Sequence, residues 1–561
     1  MGVNARRRAA VAATALAAAA TLSGCAAGAG PGANRAADPR ERMLVAEAAI
    51  DRGQYPLAVE EYRLAAAATG DARLAERAAR VAFDHGQDAA LARVAREWLA
   101  REPDSEVARR FLAVASLHLD RVDDAEREYA KLMDTAYPTP AEGFNALLQS
   151  LADLRSETAA ARVMARLAAR HPDVPEAHYA AASLALQAGD SPSALAHVAR
   201  AQQLRPKWRE AIWLEVRARI AGRDCERGLA QSRGLAAEAA DADRLVHAWL
   251  LTACERGAEA RPLFEDLARG RVARAEALEG LAALEAEASR YEEAANRYTD
   301  LLATGRGTDR AFFGLGLVAD RRGDAAQAVR LYSRVTSGSR AIGAQLRAYR
   351  LLLERGEADL AAAQFDEFVA QAPEYRIVAT AGRAQVLAEE GRSADALALL
   401  DRALAAYPGQ DELRYARAFV LEREGRVDAA IRELREVLKQ RPEDPSAQNA
   451  LGFTLADHGR SLPEAERLIR AALAGRPDSA AIQDSLGWVL HRRGRSAEAL
   501  EWLARAFANE PDPEIAAHLG EVQWTLGQRD VAERTWRTAL ERTPDHRKLK
   551  RMIERFLGTR P

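Results

Sequence analysis

The 561-residue sequence has few aromatic side chains, few cysteines and almost no net charge. Its three cysteines are too few for a disulfide-rich scaffold or a four-thiolate metal site. No apolar run beyond the N-terminus reaches the roughly 18 residues that a membrane-spanning helix needs, which argues against a multi-span membrane protein. Basic and acidic residues number 80 and 82, for a formal net charge of −2, so a chain-wide preference for nucleic acid is not expected.

What the chain does contain is alanine, leucine, arginine and glutamate, which are strong helix formers. Hydrophobic residues make up 48% of the sequence and aromatic residues only 6%, so the apolar residues are mainly alanine and leucine. This composition predicts an all-α protein. The length alone, at roughly 150 residues per domain, would have suggested three or four ordinary domains.

The N-terminus has the organisation of a secretory signal. Three arginines at 6–8 precede a short apolar stretch at 9–21. The sequence Leu22-Ser23-Gly24-Cys25 that follows resembles the lipobox of bacterial lipoproteins. The resemblance implies that the signal peptide, 1–24, is removed and that the cysteine is acylated. The alternative is an ordinary signal peptide with a chance cysteine.

The residues after the cysteine indicate which membrane the protein is expected to be anchored in and how it is attached. Ala26 follows Cys25 where inner-membrane lipoproteins of enteric bacteria have aspartate. The resemblance therefore implies the outer membrane, with the protein facing the periplasm. Residues 25–38 are rich in glycine, alanine and proline, which predicts a flexible tether behind the lipidated cysteine. Several acyl chains on one residue suffice for stable anchoring.

The rest of the chain repeats one pattern of small residues, glycine and proline. Small residues form two tracks: Ala384, Ala418, Gly452, Gly487 and Gly520, then Ala396, Ala430, Ala465, Ala499 and Ala532. Glycines lie between the tracks and prolines close the units: Gly391, Gly425, Gly459, Gly494 and Gly527, then Pro408, Pro442, Pro477, Pro511 and Pro544. Small residues let two helices approach closely, glycine opens the turn, and proline stops the second helix. The pattern resembles the tetratricopeptide repeat (TPR), a helix–turn–helix unit of about 34 residues.

The same register extends back to a first unit near residue 39 and predicts a TPR-type helical-hairpin solenoid of about 15 repeats. We expect N-terminal TPR-like repeats over 39–274 and a regular array over 275–544. The N-terminal part is degenerate at 141–174 and 209–274, where Pro262 is expected to interrupt a helix.

Residues 545–561 are predicted to form a capping helix, because a repeat array needs its last unit covered. Its apolar face consists of Leu549, Met552, Ile553 and Phe556. Its basic residues are expected to point outward: Arg547, Lys548, Lys550, Arg551 and Arg555. A solvated basic face is the favoured interpretation, and contact with anionic lipid or a partner is the alternative.

No sequence motif indicates catalysis or a cofactor. The chain has no phosphate-cradling glycine loop and no HExxH, GxSxG or CxxC pattern. Carboxylates lie beside arginines along helix surfaces, which is typical of solvated faces. His458, His491 and His518 fall in successive repeats but at different positions within them, so no metal site is expected. The sequence therefore predicts a protein that is not an enzyme and that binds no cofactor, small-molecule substrate or nucleic acid.

The two remaining cysteines, Cys225 and Cys254, lie in the degenerate stretch. The register places one at an inter-helix turn and the other near the end of the next first helix, on the same edge of the solenoid. A disulfide and two small buried thiols are both consistent with this placement.

A helical-hairpin solenoid leaves a long concave surface lined by the first helix of each unit. Positions 5, 9 and 12 of a TPR unit point there. In the C-terminal units these positions are Tyr415, Phe419, Glu422, Asn449, Phe453, Asp484, Trp488, His491, Glu521 and Trp524. Such aromatic, amide and carboxylate groups predict a groove for an extended peptide or a helix. The alternative is that the rings pack between repeats. A carboxylate clamp for a peptide C-terminus is not expected, because too few lysines surround the acidic residues.

Three stretches in register, 449–457, 484–490 and 512–520, resemble a family of TPR outer-membrane lipoproteins of proteobacteria when taken with the lipobox and the length. These are the LbcA-type scaffolds of the periplasmic carboxyl-terminal-processing protease CtpA. The resemblance implies a lipoprotein that holds this protease and its substrates, peptidoglycan hydrolases, together. One alternative is an assembly scaffold for a pilus secretin or for exopolysaccharide export. The other is a protein that binds peptidoglycan glycan strands in the groove.

Overall fold

The computed structural model describes residues 38–152, 157–237, 240–543 and 546–558. The predicted signal peptide, the lipidation site Cys25, almost all of the tether and Pro544 lie outside the described residues. Within the described ranges the chain forms 31 α-helices and one short 3-10 helix, Pro373–Tyr375, and no strand. The all-α fold class predicted from the composition is confirmed.

The helices follow one another with short turns. The first fifteen are α1 Pro39–Asp51, α2 Tyr55–Thr69, α3 Ala72–Asp84, α4 Asp88–Leu99, α5 Glu106–His118, α6 Val122–Ala136, α7 Pro140–Leu151, α8 Glu157–Arg170, α9 Pro175–Gln187, α10 Ser191–Leu204, α11 Arg209–Ala221, α12 Cys225–Ala237, α13 Asp241–Ala253, α14 Gly257–Arg269 and α15 Arg274–Glu287. The others are α16 Tyr291–Ala303, α17 Thr308–Arg321, α18 Ala325–Tyr332, α19 Ala341–Glu354, α20 Ala358–Gln371, α21 Arg376–Glu389, α22 Ser393–Ala406, α23 Asp411–Arg423, α24 Val427–Gln440, α25 Pro445–Asp457, α26 Leu462–Gly475, α27 Ala480–Arg492, α28 Ser496–Asn509, α29 Pro513–Thr525, α30 Arg529–Arg542 and α31 Arg547–Leu557.

Consecutive helices pack as hairpins. Fourteen such pairs lie between α1 with α2 and α29 with α30, and α31 remains as a cap. The exception is α7 and α8, because α7 packs mainly against α9, and α8 packs against α9 and α6, rather than against each other. The predicted solenoid of about 15 repeats with a C-terminal capping helix is therefore confirmed. First helices of neighbouring hairpins contact each other through most of the array, whereas second helices seldom do. The first helices consequently form the inner, concave layer.

Local sequence explains where the helices begin and end. The side chains of Asp444 and Asp512 accept hydrogen bonds from the first backbone N–H groups of α25 and α29, and a proline with its preset φ follows each aspartate. The second helices α22, α24, α26 and α28 end one or two residues before a proline. The turn glycines have φ between 65° and 80°: Gly391, Gly425, Gly459, Gly494 and Gly527.

The small-residue tracks lie where the two helices of a hairpin meet. Gly520 shows the reason most clearly, because a Cβ atom there would lie 2.0 Å from Nε1 of Trp536. Trp536 is fully buried and its Nε1–H donates to the carbonyl of Ala517 at 3.3 Å. A glycine on α29 thus leaves room for an indole on α30.

The irregular part at 209–274 consists of helical hairpins too, α11 to α14. The predicted interruption at Pro262 is wrong, since α14 runs through it from Gly257 to Arg269. A proline removes one backbone hydrogen bond and crowds the preceding turn. Phe264 and Leu267, which follow it, are buried in the local core and hold the helix against its neighbours.

A disulfide joins Cys225 to Cys254, with Cα atoms 6.0 Å apart and 29 residues of separation. Cys225 is the first residue of α12 and Cys254 caps the C-terminus of α13. The bond therefore links the second helix of one hairpin to the first helix of the next.

The solenoid winds far enough for its N-terminal hairpins to touch its C-terminal ones, at a contact that we call the seam. The Gln410 side-chain amide donates to the carbonyl of His85 at 3.2 Å, across 325 residues of sequence. The backbone N–H of Ser191 donates to the Asp478 carboxylate at 3.1 Å, across 287 residues. These bonds close the superhelix on itself.

The N-terminal and C-terminal coils approach each other closely at the seam. A Cβ atom on Gly409 would lie 2.9 Å from the carbonyl oxygen of Gly86. A salt bridge of 2.5 Å joins Arg162 to Glu443. Cavities of about 210 and 410 Å³ remain between the two coils.

Candidate functional site

A cavity of about 610 Å³ opens on the concave surface at the C-terminal end. Four helices of the inner layer form it: α25, α27, α29 and the cap α31. Its lining residues are Asp457, Trp488, His491, Arg492, His518, Glu521, Lys548, Arg551, Met552 and Arg555. Three of the residues predicted for a partner groove, Trp488, His491 and Glu521, are therefore brought together here.

A chain of polar contacts forms the floor of this cavity. Nδ1 of the buried His518 lies 2.9 and 3.0 Å from the two carboxylate oxygens of Asp484, and its Nε2 lies 3.1 Å from Nζ of Lys548. A lysine ammonium only donates, so Nε2 of His518 accepts and Nδ1–H donates to Asp484. Lys548 also donates to Glu514 at 2.5 Å. Both nitrogens of His518 are thus engaged, and the side chain holds α27, α29 and α31 together.

Trp488 is fixed between repeats. Only 7% of it is exposed, its Nε1–H donates to Asp457 at 3.0 Å, and its ring stacks on His518 with centroids 4.3 Å apart. The guanidinium carbon of Arg492 lies 5.7 Å from the ring centroid. Trp488 therefore packs between repeats and offers the cavity little more than an edge.

His491 lies at the side of the cavity, with Nδ1 3.0 Å from the Ser496 hydroxyl. Burial lowers its pKa, the positive charge of Arg492 lowers it further, and Glu521 acts in the opposite direction. Because the pKa lies below its usual value of 6.5, His491 is mainly neutral at pH 7.

One other predicted groove residue, Phe453, is close to this floor, since its ring lies 6.0 Å from that of His518. Asn449, on the same helix as Phe453, has a buried Oδ1 with no hydrogen-bond partner among the described residues. In the preceding unit Glu422 pairs with His458 at 2.9 Å.

The remaining predicted residues lie elsewhere. Phe419 packs beneath Arg423, whose guanidinium carbon is 5.8 Å from the ring centroid. Tyr415 lines the seam, where burial raises its pKa and its hydroxyl is 3.5 Å from Asp444. Neither lines the C-terminal cavity.

Trp524 does not line this cavity either. Its ring lies 6.0 Å from Trp536 and 5.6 Å from Phe556, so it packs against the cap. This packing agrees with the alternative interpretation, in which the rings pack between repeats.

Three basic residues of the cap, Lys548, Arg551 and Arg555, line this cavity. Arg551 and Arg555 are solvent-exposed, in agreement with the predicted outward orientation, and Lys548 is half-buried. The cap occupies the place of a further first helix, so one face of it turns toward the concave surface. The repeat register indicates this place, because Lys548 is 34 residues after its partner Glu514. The apolar residues Leu549, Met552 and Ile553 are buried as the amphipathic pattern indicates.

No group of three or more His, Cys, Asp or Glu side chains in the described ranges is arranged to hold a metal ion. No helix in the same ranges is long and apolar enough to cross a bilayer.

Paired helices, an inner layer of first helices and a cavity on that layer define a helical-hairpin repeat protein. Two tetratricopeptide-repeat family models match this chain, one at 387–452 and the other at 145–207, 284–342, 346–411 and 454–513. Together they match a little more than half of the sequence, and the chain belongs to the tetratricopeptide-repeat proteins. Such repeats form a scaffold for protein–protein interaction that is typically non-catalytic.

A curated relative is TPR repeat-containing protein PA4667 of Pseudomonas aeruginosa, 30% identical over 238 residues. The match covers 42% of this chain and 35% of the relative, so this chain spans about a third of that protein's length. Among solved structures, TTC0263, a thermophilic TPR protein of Thermus thermophilus, matches 32% of this chain and 100% of its own at 24% identity and a TM-score of 0.29. The APC/C hetero-tetramer Cut9–Hcn1 matches 92% of this chain and 96% of its own at 14% identity and a TM-score of 0.31.

Proposed function

We propose that the protein is a lipid-anchored scaffold of the outer membrane that binds periplasmic proteins on its concave surface. In this proposal it brings a carboxyl-terminal-processing protease to peptidoglycan hydrolases, its substrates. The scaffold does no chemistry itself. It raises the mutual effective concentration of two bound proteins, up to the millimolar range when both are held on one surface.

The observation that favours this function is the cavity of about 610 Å³ on the inner layer. Its size lies within the range of roughly 300–1,000 Å³ typical of binding sites. The polar chain from Asp484 through His518 to Lys548 fixes its floor, so the surface is preorganised and little ordering entropy opposes binding.

Location in the periplasm is supported by two independent features. The disulfide between Cys225 and Cys254 is of a kind that persists in oxidising compartments such as the periplasm. The lipobox resemblance around Cys25 belongs to exported, acylated proteins, and a multiply acylated cysteine anchors a protein stably.

The test is capture of purified components by the full lipidated chain in detergent. We expect the immobilised protein to retain the carboxyl-terminal-processing protease of the same organism, and a hydrolase together with it. Arg551→Trp, which fills the cavity with an indole, is expected to weaken retention. Arg547→Trp on the same helix but outside the cavity lining is the matched control and should bind like the wild type.

Other outcomes identify the alternatives. Retention of a pilus secretin or an exopolysaccharide export component instead of the protease would favour the assembly scaffold. Sedimentation with purified peptidoglycan in the absence of other proteins would favour glycan binding. If neither protease nor hydrolase is retained by the wild-type chain, the adaptor proposal is wrong.

A further inference from the structure

We infer that the cavity between α25, α27, α29 and α31 binds an extended segment of its protein partner through aspartate and glutamate side chains. This inference rests on the proposed function and adds the chemistry that the partner must present. It follows from the charges around the cavity, from their existing partners and from the apolar side chains in the same lining.

The charged groups of the lining are unequal in number. They are four cations and two carboxylates: Arg492, Lys548, Arg551, Arg555, Asp457 and Glu521. Because the pKa of His491 is lowered, that residue adds no positive charge at pH 7. A surface with such an excess of positive charge attracts anionic groups and repels cationic ones.

Two of the cations are already paired. Lys548 donates to Glu514 at 2.5 Å, and Arg555 lies 3.7 Å from Glu521. Asp457 accepts the Trp488 Nε1–H. These groups position the walls of the cavity and have less capacity for a further partner.

The other two cations, Arg492 and Arg551, form no salt bridge within the described part of the chain. Arg492 donates to the backbone carbonyl of Asp457 at 2.5 Å, which orients it without neutralising its charge. The two guanidinium groups come from α27 and α31, on different sides of the cavity. Guanidinium is the side chain best suited to bidentate pairing with carboxylates.

The lining also includes apolar surface. The edge of Trp488 and the side chain of Met552, 8% exposed, contribute it. Methionine adapts its shape to varied partners. An extended segment in which acidic and apolar side chains alternate could therefore pair its carboxylates with the arginines and place its apolar groups against Trp488 and Met552.

The experiment uses the full chain and a fluorescent peptide with both ends blocked, in which glutamate alternates with apolar residues. Its twin has glutamine at each glutamate position, and a third peptide has glutamine with a free C-terminal carboxylate. Anisotropy of a neutral dye gives each affinity. The variant is Arg492→Glu with Arg551→Glu, and the matched control is Arg547→Glu, on the cap but outside the lining. Circular dichroism and melting confirm that all variants fold.

We expect the glutamate peptide to bind about tenfold or more tightly than its glutamine twin. The affinity should fall as NaCl rises from about 50 to about 300 mM. The double variant should lose this preference, and Arg547→Glu should retain it. Equal binding of the twins, binding that requires the free terminus, or an unchanged preference in the double variant would overturn the inference. If the intact protease is still retained in such a case, the proposed function stands and only the partner chemistry is wrong.

Discussion

Asp120 lies at the seam, in a position that disfavours the ionised form of its carboxyl. It follows α5 with φ of 54° and lines the cavity of about 210 Å³ between the N-terminal and C-terminal coils. Burial raises the pKa of its carboxyl to about 6 from 3.8, and the negative charges of Asp444 and Glu443 also raise it. Arg162 and Arg441 oppose this shift. Glu443, Asp444 and Arg441 lie on the opposite coil, whereas Arg162 lies on the same coil as Asp120.

The raised pKa of Asp120 gives the sign and the size of its effect on the stability of the seam. A carboxyl with a raised pKa in the closed structure favours closure when protonated. The penalty therefore grows as pH rises from about 4 to about 6 and stays constant above. A shift of about two units corresponds to about 3 kcal/mol at most, and partial solvent exposure reduces this to about 1–3 kcal/mol. Asp120→Asn removes the charge, and asparagine tolerates a positive φ. We expect this substitution to stabilise the closed seam by about 1–3 kcal/mol at pH 7.

Hydrogen exchange at the amide of Ser191 measures seam opening, because this N–H begins α10 and its acceptor is Asp478 on the other coil. Asp120→Asn should slow its exchange at pH 7 by about fivefold to about a hundredfold relative to the wild type. The difference should shrink as pH falls and vanish at about pH 3, below both pKa values. Asp104→Asn, in an exposed loop, is the control and should change nothing. Unchanged or faster exchange in Asp120→Asn would refute the assignment of a buried charge to the seam.

Three further predictions concern the hairpins and the anchor. Gly520→Ala forces a methyl group against Trp536 and should destabilise the last hairpin by about 1–3 kcal/mol. Urea unfolding followed by tryptophan fluorescence measures this loss. Gly234→Ala is the control and should not destabilise the protein, because the space around its Cβ position is open. Reducing the disulfide frees a loop of 29 residues and should lower stability by about 3–4 kcal/mol in the chain-entropy model; an unchanged unfolding curve would contradict this. Cys25→Ala should move the protein from the detergent phase to the aqueous phase, and unchanged partitioning would remove the lipid anchor from the account.

The hairpins were predictable because their determinants are local and repeat. A small residue opposite a large one, as with Gly520 and Trp536, sets the contact of two helices within one unit. The 34-residue separation of Asp484 and His518 also follows from the register, since equivalent positions in consecutive first helices are neighbours. The positions of the histidines relative to one another do not indicate this pairing, because the partner of His518 is a carboxylate. The same register also predicts that α31 takes the place of a further first helix.

The seam was not predictable from the sequence. Contacts such as Gln410 with His85 depend on a small rotation between successive hairpins, added over many units. A slight error in each step displaces the distant coils by many ångströms. No local pattern around Gly86 or Gly409 indicates that their backbones approach each other. The lining of the cavity by Arg551 required the same knowledge of relative helix orientation.

The most direct test of the scaffold account is the rate of hydrolase degradation by the purified protease as this protein is titrated into the mixture. A scaffold that binds both proteins accelerates the reaction at low concentration and inhibits it at high concentration, when protease and hydrolase occupy separate copies. We expect this bell-shaped dependence, shifted to higher concentration by Arg551→Trp. No acceleration at any concentration, or a rise that reaches a plateau and never declines, would contradict the account.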